Sequence, residues 1–248
     1  MQAFDPLEVQ TFGPIRTLEA SMEGKIKGFV LFSGGIDSTT CLALACNRHG
    51  DDNVTAVGIN YGQRHAKELE QARQICALYG VEQVILDLGT QPQSMLTNPD
   101  ADIPNASYKE LVGISPTYVH FRNGQMLSKI AAYASSKLAD DETAIIYAGM
   151  HAEDAAGDAY PDCRLDFVGA MAAAIYIGTY HKVRLSAPLI ELDKSQVVKW
   201  GDELGAPFAL SWSCYAGEDV HCGTCPTCRA RKEAFFNAGV VDYTIYRT

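Results

Sequence analysis

Short apolar runs recur along this chain, separated by stretches long enough for helices. Phe29–Phe32 (FVLF) stops at a glycine pair, and Val54–Asn60, Gln83–Leu88, Thr143–Met150 and Val183–Ala187 are four more such runs. Each is rich in aliphatic residues, short and bounded by polar or turn-forming positions, the signature of a buried strand. Ser38–Asn47 between the first two carries Thr40, Leu42, Leu44 and Ala45 on a mostly apolar face. Tyr61–Tyr79 opens with a glycine turn, then places Leu69, Ala72, Ile75, Cys76 and Tyr79 at helical spacing before Gly80, a residue suited to a helix C-terminus. Gly124–Leu138, Leu165–Tyr180 and Lys194–Leu204 complete the helical set. Asp193 and Gln196 stand in capping-box positions before the last of these, which Gly205 ends. Strands alternating with helices over short links predict an α/β fold, a doubly wound parallel sheet of about five strands covered on both faces.

Two stretches break the alternation. Gly89–Thr117 is rich in Gln, Pro, Asn, Ser and Asp and holds Pro92, Pro99, Pro104 and Pro116. A loop of that length is a lid, a binding loop or a mobile segment, and the residues do not choose among them. Residues 1–24 carry no sharp chemistry and are expected to be an extended arm or a poorly ordered terminus. The division is therefore an arm at 1–24, one α/β domain at 25–210 and a cysteine-rich region at 211–248.

Charge and composition narrow the function. Of 248 residues, 20 are basic and 30 acidic, for a formal net charge of −10, which argues against a protein that tracks nucleic-acid backbones. No apolar stretch approaches the ~20 residues of a membrane span, and the polar N-terminus lacks a signal-peptide core. A cytoplasmic protein is expected, with its eight cysteines reduced.

Candidate chemistry gathers where the first strand hands over to the first helix. Ser33-Gly34-Gly35-Ile36-Asp37-Ser38-Thr39 combines two flexible glycines with hydroxyls at a helix N-terminus, where free N–H groups favour an anion. Asp37 would repel a phosphate if turned inward, so it is expected to cap the turn or to hold Mg²⁺. A Walker loop is excluded, since no G-x-x-x-x-G-K-[ST] occurs, and this turn has no G-x-G-x-x-G fingerprint. Tyr61–His65 and Arg122-Asn123 each precede a helix, where a parallel sheet presents its ligand-binding edge. Asp162 and Arg164 flank Cys163 in another such turn. They could reach a ligand or simply pair with each other.

Cys214, Cys222, Cys225 and Cys228 lie within fifteen residues, in two overlapping C-x-x-C steps. Four thiolates close a tetrahedral Zn²⁺ site of the structural kind. His221 in place of one thiolate, a Cys222–Cys225 redox pair and an iron–sulfur cluster are the competing readings. Cys41, Cys46 and Cys76 sit on apolar helical stretches and are expected to be inert.

The string S-G-G-I-D-S-T resembles the pyrophosphate loop of the ATP pyrophosphatases. Together with YGQRHAKELEQA, the FRN…LS segment, AYPDCRLDF and CGTCPTC, it resembles the 7-cyano-7-deazaguanine (preQ0) synthase family from Lys27 to the C-terminus. His120, where a proline is expected, and the longer stretch leading to Tyr160 depart from the family pattern. The resemblance implies a Rossmann-like, ATP pyrophosphatase-type sheet with a zinc-bound C-terminal appendage. It implies a carbon–nitrogen ligase that uses ATP with Mg²⁺ to turn 7-carboxy-7-deazaguanine and ammonia into the nitrile. Phe32, Ser33, Gly34, Gly35, Ile36, Asp37, Ser38, Thr39 and Thr40 would then hold ATP, with Ser33, Asp37 and Ser38 catalytic. Arg122 and Asn123 would add nucleotide contacts, while Gln63, His65, Asp162, Cys163 and Arg164 would border the deazaguanine. A homodimer without nucleic acid or membrane is expected. A tRNA-thiolating pyrophosphatase and a non-catalytic zinc-ribbon module are the alternatives, and net charge and a closed cysteine set count against the first.

Overall fold

A computed structural model describes residues 25–62, 66–89, 118–151, 160–215 and 219–247, with only the backbone given for 66, 67 and 69. The five apolar runs pair side by side. Strands β1 (Lys25–Leu31), β2 (Val54–Asn60), β3 (Glu82–Asp87), β4 (Glu142–Tyr147) and β5 (Val183–Ser186) form one sheet in the order β3-β2-β1-β4-β5. Every neighbouring pair is parallel. β1 starts ahead of its apolar run because Lys25–Lys27 also pair with β4, and Lys27 Nζ reaches Glu142 Oε1 at 3.4 Å.

Helices cover both faces, as the alternation requires. α1 (Ile36–His49), α2 (Ala66–Tyr79), α5 (Lys194–Glu203) and α6 (Pro226–Ala238) bury one face, with Leu42, Ile75, Val197 and Phe235 in a common core. α3 (Arg122–Ser136) and α4 (Leu165–Gly178) bury the other through Leu127, Ile130, Val168 and Ile175. Each fully buried aliphatic or aromatic side chain contributes about 1.5–3 kcal/mol to holding the layers together. The expected capping box at α5 is present: Asp193 Oδ1 accepts the Gln196 N–H at 2.8 Å and Gln196 Oε1 accepts the Asp193 N–H at 2.9 Å. α5 crosses α1 at close range because Gly201 has no side chain, and a Cβ there would lie 2.5 Å from Thr40 Oγ1.

α6 has no counterpart in the periodicity. It begins with Pro226 directly after a cysteine and ends at Gly239, whose φ is 68°, the proline-first, glycine-last arrangement of a short helix. Its buried Arg231 donates to Ser211 Oγ and to the Phe208 carbonyl, both at 2.8 Å, and pairs with Asp242 at 3.2 Å. The C-terminal stretch is thus tied into the main core.

The order of strands places the site. The chain runs from β1 outward through β2 to β3, then returns to lay β4 and β5 on the other side of β1. The crevice between the carboxyl ends of β1 and β4 is a topological switch point, where open α/β sheets take their ligands. Among the described residues, no helix is long and apolar enough to cross a membrane.

Candidate functional site

The serine-glycine loop lies at that crevice. β1 ends at Leu31, and the turn through Gly34, with φ of +80°, delivers the chain into α1. A side chain on Gly34 would meet the backbone of Ala72 at 3.1 Å as well as forcing a left-handed residue, so the position needs glycine. The loop is internally braced: Ser38 Oγ accepts the Ser33 N–H at 3.3 Å, donates to Gly35 O at 3.2 Å and lies 3.2 Å from Ser33 Oγ. The first N–H groups of α1 lack intrahelical acceptors. The buried Thr39 Oγ1 has no hydrogen-bond partner among the described residues. An oxyanion fits this set of donors. β4 comes close because Gly149 follows it; a Cβ at Gly149 would lie 2.9 Å from the Asp37 carbonyl carbon.

Asp37 does not cap the helix. Gly35 is the N-cap, and Asp37 instead receives Lys194 Nζ at 2.7 and 2.6 Å. His151, just past β4, stands 3.3 Å from Lys194 Nζ and 3.9 Å from the Asp37 carboxylate. Burial disfavours the Asp37 charge, but Lys194 and then His151 outweigh it and hold the carboxyl below its ordinary range. An ionised carboxylate, an ammonium group and an imidazole therefore stand together beside the loop. Neither Lys194 nor His151 was singled out by the sequence as a site residue. Lys194 is visible there only as the first residue after a cap.

Across the crevice, α3 begins at a strained turn. Phe121 is left-handed, with φ of 54°, and its ring occupies the space a Cβ on Gly124 would need, 2.4 Å away. That turn aims Arg122 and Asn123 inward. Asn123 donates its backbone N–H to Asp162 Oδ2 at 3.0 Å and its side-chain amide to Cys163 Sγ at 3.2 Å. Arg122 lies over the Tyr61 ring, 5.3 Å from its centroid, and donates to the Tyr61 hydroxyl at 3.4 Å. Burial raises the carboxyl of Glu68, on α2, to about 7, with the nearby Arg122 charge opposing the shift. Asp162 and Cys163 are buried beside Asn123, whereas Arg164 turns to Asp166 at 3.2 Å. The Asp162–Arg164 pair is not found among the described residues: the carboxylate accepts from the start of α3 and the guanidinium pairs with Asp166 of α4.

The four cysteine sulfurs all lie within 4.8 Å of one another. Cys214 and Cys225 are 3.9 Å apart at sulfur, as are Cys222 and Cys228. A single Zn²⁺ with Zn–S bonds of ~2.3 Å requires sulfur separations of about 3.8 Å, so the set fits that ion. A cluster interposes iron and sulfide between its thiolates and needs them further apart. Burial opposes ionisation of Cys222, but N–H groups of Thr224 and Cys225 aimed at its sulfur lower its pKa. His221 is turned away from the metal set: its Nε2 accepts the Ser213 N–H at 3.4 Å and its ring lies against Trp212. Burial pushes it down to about 4, which keeps the acceptor nitrogen unprotonated.

Residues 27–239 match the family model described as queuosine biosynthesis protein QueC. The chain belongs to the QueC family. It is 39% identical over 220 residues to the 7-cyano-7-deazaguanine synthase of Caldicellulosiruptor bescii, covering 88% of this chain and 96% of that one. The synthase of Cyanothece sp. is 40% identical over 237 residues, covering 90% and 100%. That of Thermoplasma volcanium is 39% identical over 223 residues, covering 87% and 89%. Among solved structures, NMN synthetase from Francisella tularensis aligns with a TM-score of 0.47 at 17% identity, over 91% of this chain and 81% of that one.

In this QueC-family chain, the element order puts both candidate groups at the carboxyl edge of the parallel sheet: Ser33–Thr40 after β1, and Arg122, Asn123, Asp162 and Cys163 at the start of α3 and beyond β4. Gln63 and His65, expected at the substrate, lie outside the described residues. Cys41, Cys46 and Cys76 are buried, and burial raises each thiol, Cys46 to about 12 and Cys76 to about 11, as expected for inert core residues.

Proposed function

We propose that this chain is a 7-cyano-7-deazaguanine synthase, an ATP-dependent ligase that converts 7-carboxy-7-deazaguanine and ammonia to the nitrile. The observation that carries the reading is a serine-glycine loop with free helix N–H groups at the switch point of a QueC-family sheet. A carboxylate is a poor electrophile because its oxygen is a poor leaving group. Attack of the substrate carboxylate on the α-phosphorus of ATP expels pyrophosphate and makes AMP the leaving group. Ammonia then displaces AMP, loses a proton and leaves the amide. A second ATP activates the amide oxygen in the same way, and loss of AMP and of both nitrogen-bound protons gives the nitrile.

The loop residues Phe32–Thr40 hold the phosphates, and Ser33, Ser38 and the α1 N–H groups stabilise charge on the departing pyrophosphate. Lys194 adds a positive charge at the same mouth, and Asp37 keeps it in place. Mg²⁺, when bound, neutralises phosphate charge, and Asp37 is the ionised carboxylate beside the loop suited to face it. Asp162 has a second oxygen for the adjacent N–H donors of a guanine-like ring, while Cys163, Gln63 and His65 complete that pocket in this reading, and Arg122 and Asn123 contact the nucleotide. Arg164, drawn to Asp166, takes part only from the rim. The 211–248 region serves as the zinc-bound structural part of the 25–210 domain, and the enzyme works as a cytoplasmic homodimer without nucleic acid.

The test is mass spectrometry of products from ATP, ammonium and 7-carboxy-7-deazaguanine. The nitrile and AMP are expected together. AMP without any deazaguanine product would reassign the acceptor, and absence of both would overturn the reading.

A further inference from the structure

The phosphate loop and the four-cysteine set meet through one residue. The backbone N–H of Trp212 donates to the Gly34 carbonyl at 2.9 Å. On its other side, the Trp212 indole Nε1 donates to the carbonyl of Cys214 at 3.0 Å. The indole is buried and lies against the His221 ring, with centroids 4.3 Å apart. His221 immediately precedes Cys222, so the tryptophan ring and its N–H edge both touch residues at the metal set. Arg231 secures the chain just before it, through Ser211 and Phe208.

The bond to Gly34 reaches further than one carbonyl. The peptide between Gly34 and Gly35 is planar and trans, so its C=O and N–H point in opposite directions. Holding the Gly34 oxygen therefore aims the Gly35 N–H the other way, where it donates to Ser33 Oγ at 3.4 Å and so sets that hydroxyl as well. Glycine pairs turn such peptides over easily unless something holds them. Packing of Gly34 on Ala72 fixes its position, and Trp212 fixes the direction of its peptide plane.

We propose that Trp212 is a positioning residue that couples the four-cysteine centre to the phosphate loop, setting the Gly34–Gly35 peptide in the orientation that receives the ATP polyphosphate. The inference rests on the loop being the nucleotide site. It adds that order at the metal centre tunes nucleotide binding and leaves recognition of the deazaguanine alone.

Two variants test it in full-length, zinc-loaded protein. Trp212→Phe keeps the ring against His221 and the backbone N–H on Gly34, and removes only the indole N–H that anchors the residue to the Cys214 carbonyl. Loosening that anchor predicts up to about fivefold weaker ATP binding and a similar rise in KM for ATP, the ceiling set by one buried hydrogen bond. Zinc content and KM for 7-carboxy-7-deazaguanine stay unchanged, whereas general loosening would move both KM values. The chain has two tryptophans, so Trp200→Phe leaves Trp212 as the sole emitter. Its fluorescence is expected to shift on adding ATP, to shift on chelating the zinc, and to respond to ATP only at higher concentration after chelation. Should Trp212→Phe fail to fold, this second protein decides the matter. Wild type that does not bind ATP would overturn the nucleotide reading and the coupling with it. Normal ATP binding with Trp212 emission indifferent to ATP would sink the coupling alone.

Discussion

The mouth of the phosphate loop is assembled from distant parts of the chain, whereas the four-cysteine set closes on itself within fifteen residues. At the mouth, Asp37 from α1, His151 from beyond β4 and Lys194 from α5 share a small volume, and Thr39 Oγ1 has no partner among the described residues. At the cysteines, sulfurs face each other at zinc-binding separations and backbone N–H groups point at Cys222 Sγ and Cys214 Sγ. One region joins groups from distant parts of the chain beside an unpartnered hydroxyl, and the other gathers four sulfurs from one short stretch.

The sharpest way to break that contrast is at the mouth of the loop. Asp37→Ala is expected to lower AMP formation about a thousandfold, the scale of losing a charge-positioning group from a reacting site. The protein should still fold, as circular dichroism would report, because α1 is held mainly by apolar contacts. Normal AMP release from a folded variant would remove Asp37 from the catalytic group.

At the cysteines the same size of change should appear as stability. Cys225→Ser is expected to bring zinc below one ion per chain and to cost about 3–4 kcal/mol in a denaturant titration. Iron in anaerobically purified protein, or an unchanged unfolding midpoint, would contradict the assignment.

The pocket side of the crevice lies between these extremes. Asp162→Asn should weaken 7-carboxy-7-deazaguanine about tenfold, since hydrogen bonds to a charged acceptor contribute roughly 1.5–3 kcal/mol. ATP affinity, titrated separately, should hardly move. Equal loss of both ligands would make Asp162 only a brace for α3.

The smallest effect is expected at Glu68. Its folded pKa of about 7 lies above the ordinary 4.5. The folded chain therefore binds more protons across that window, and stability falls as pH rises from about 4.5 to 7. Glu68→Gln should flatten that part of the stability–pH curve. A curve of unchanged slope would show that the carboxyl titrates normally.

Which parts were legible in the sequence follows from distance along the chain. β2 is found with the bounds its apolar run suggests, and the Asp193–Gln196 box is found as spaced, because both are local. The gathering of the four cysteines was legible for the same reason. α6 escaped notice because its buried side is thin and includes a charged residue, Arg231. Only Pro226 and Gly239 advertise it. Lys194 and His151 were illegible as site residues because the crevice that unites them with Asp37 exists only after β4 has been laid beside β1. The alternative pairing of Asp162 with Arg164 was suggested by proximity, but the guanidinium pairs with Asp166, two residues after it.

The bond between Trp212 and Gly34 also has a consequence for the newly made chain. Ribosomes add roughly 5–20 residues per second, so by that rate the loop is synthesised about 10–35 s before the tryptophan that orients it. During that interval the nascent protein has β1 and its glycine turn without their distal support. The direction of the Gly34–Gly35 peptide is therefore set late in synthesis, only after the chain has been extended as far as Trp212.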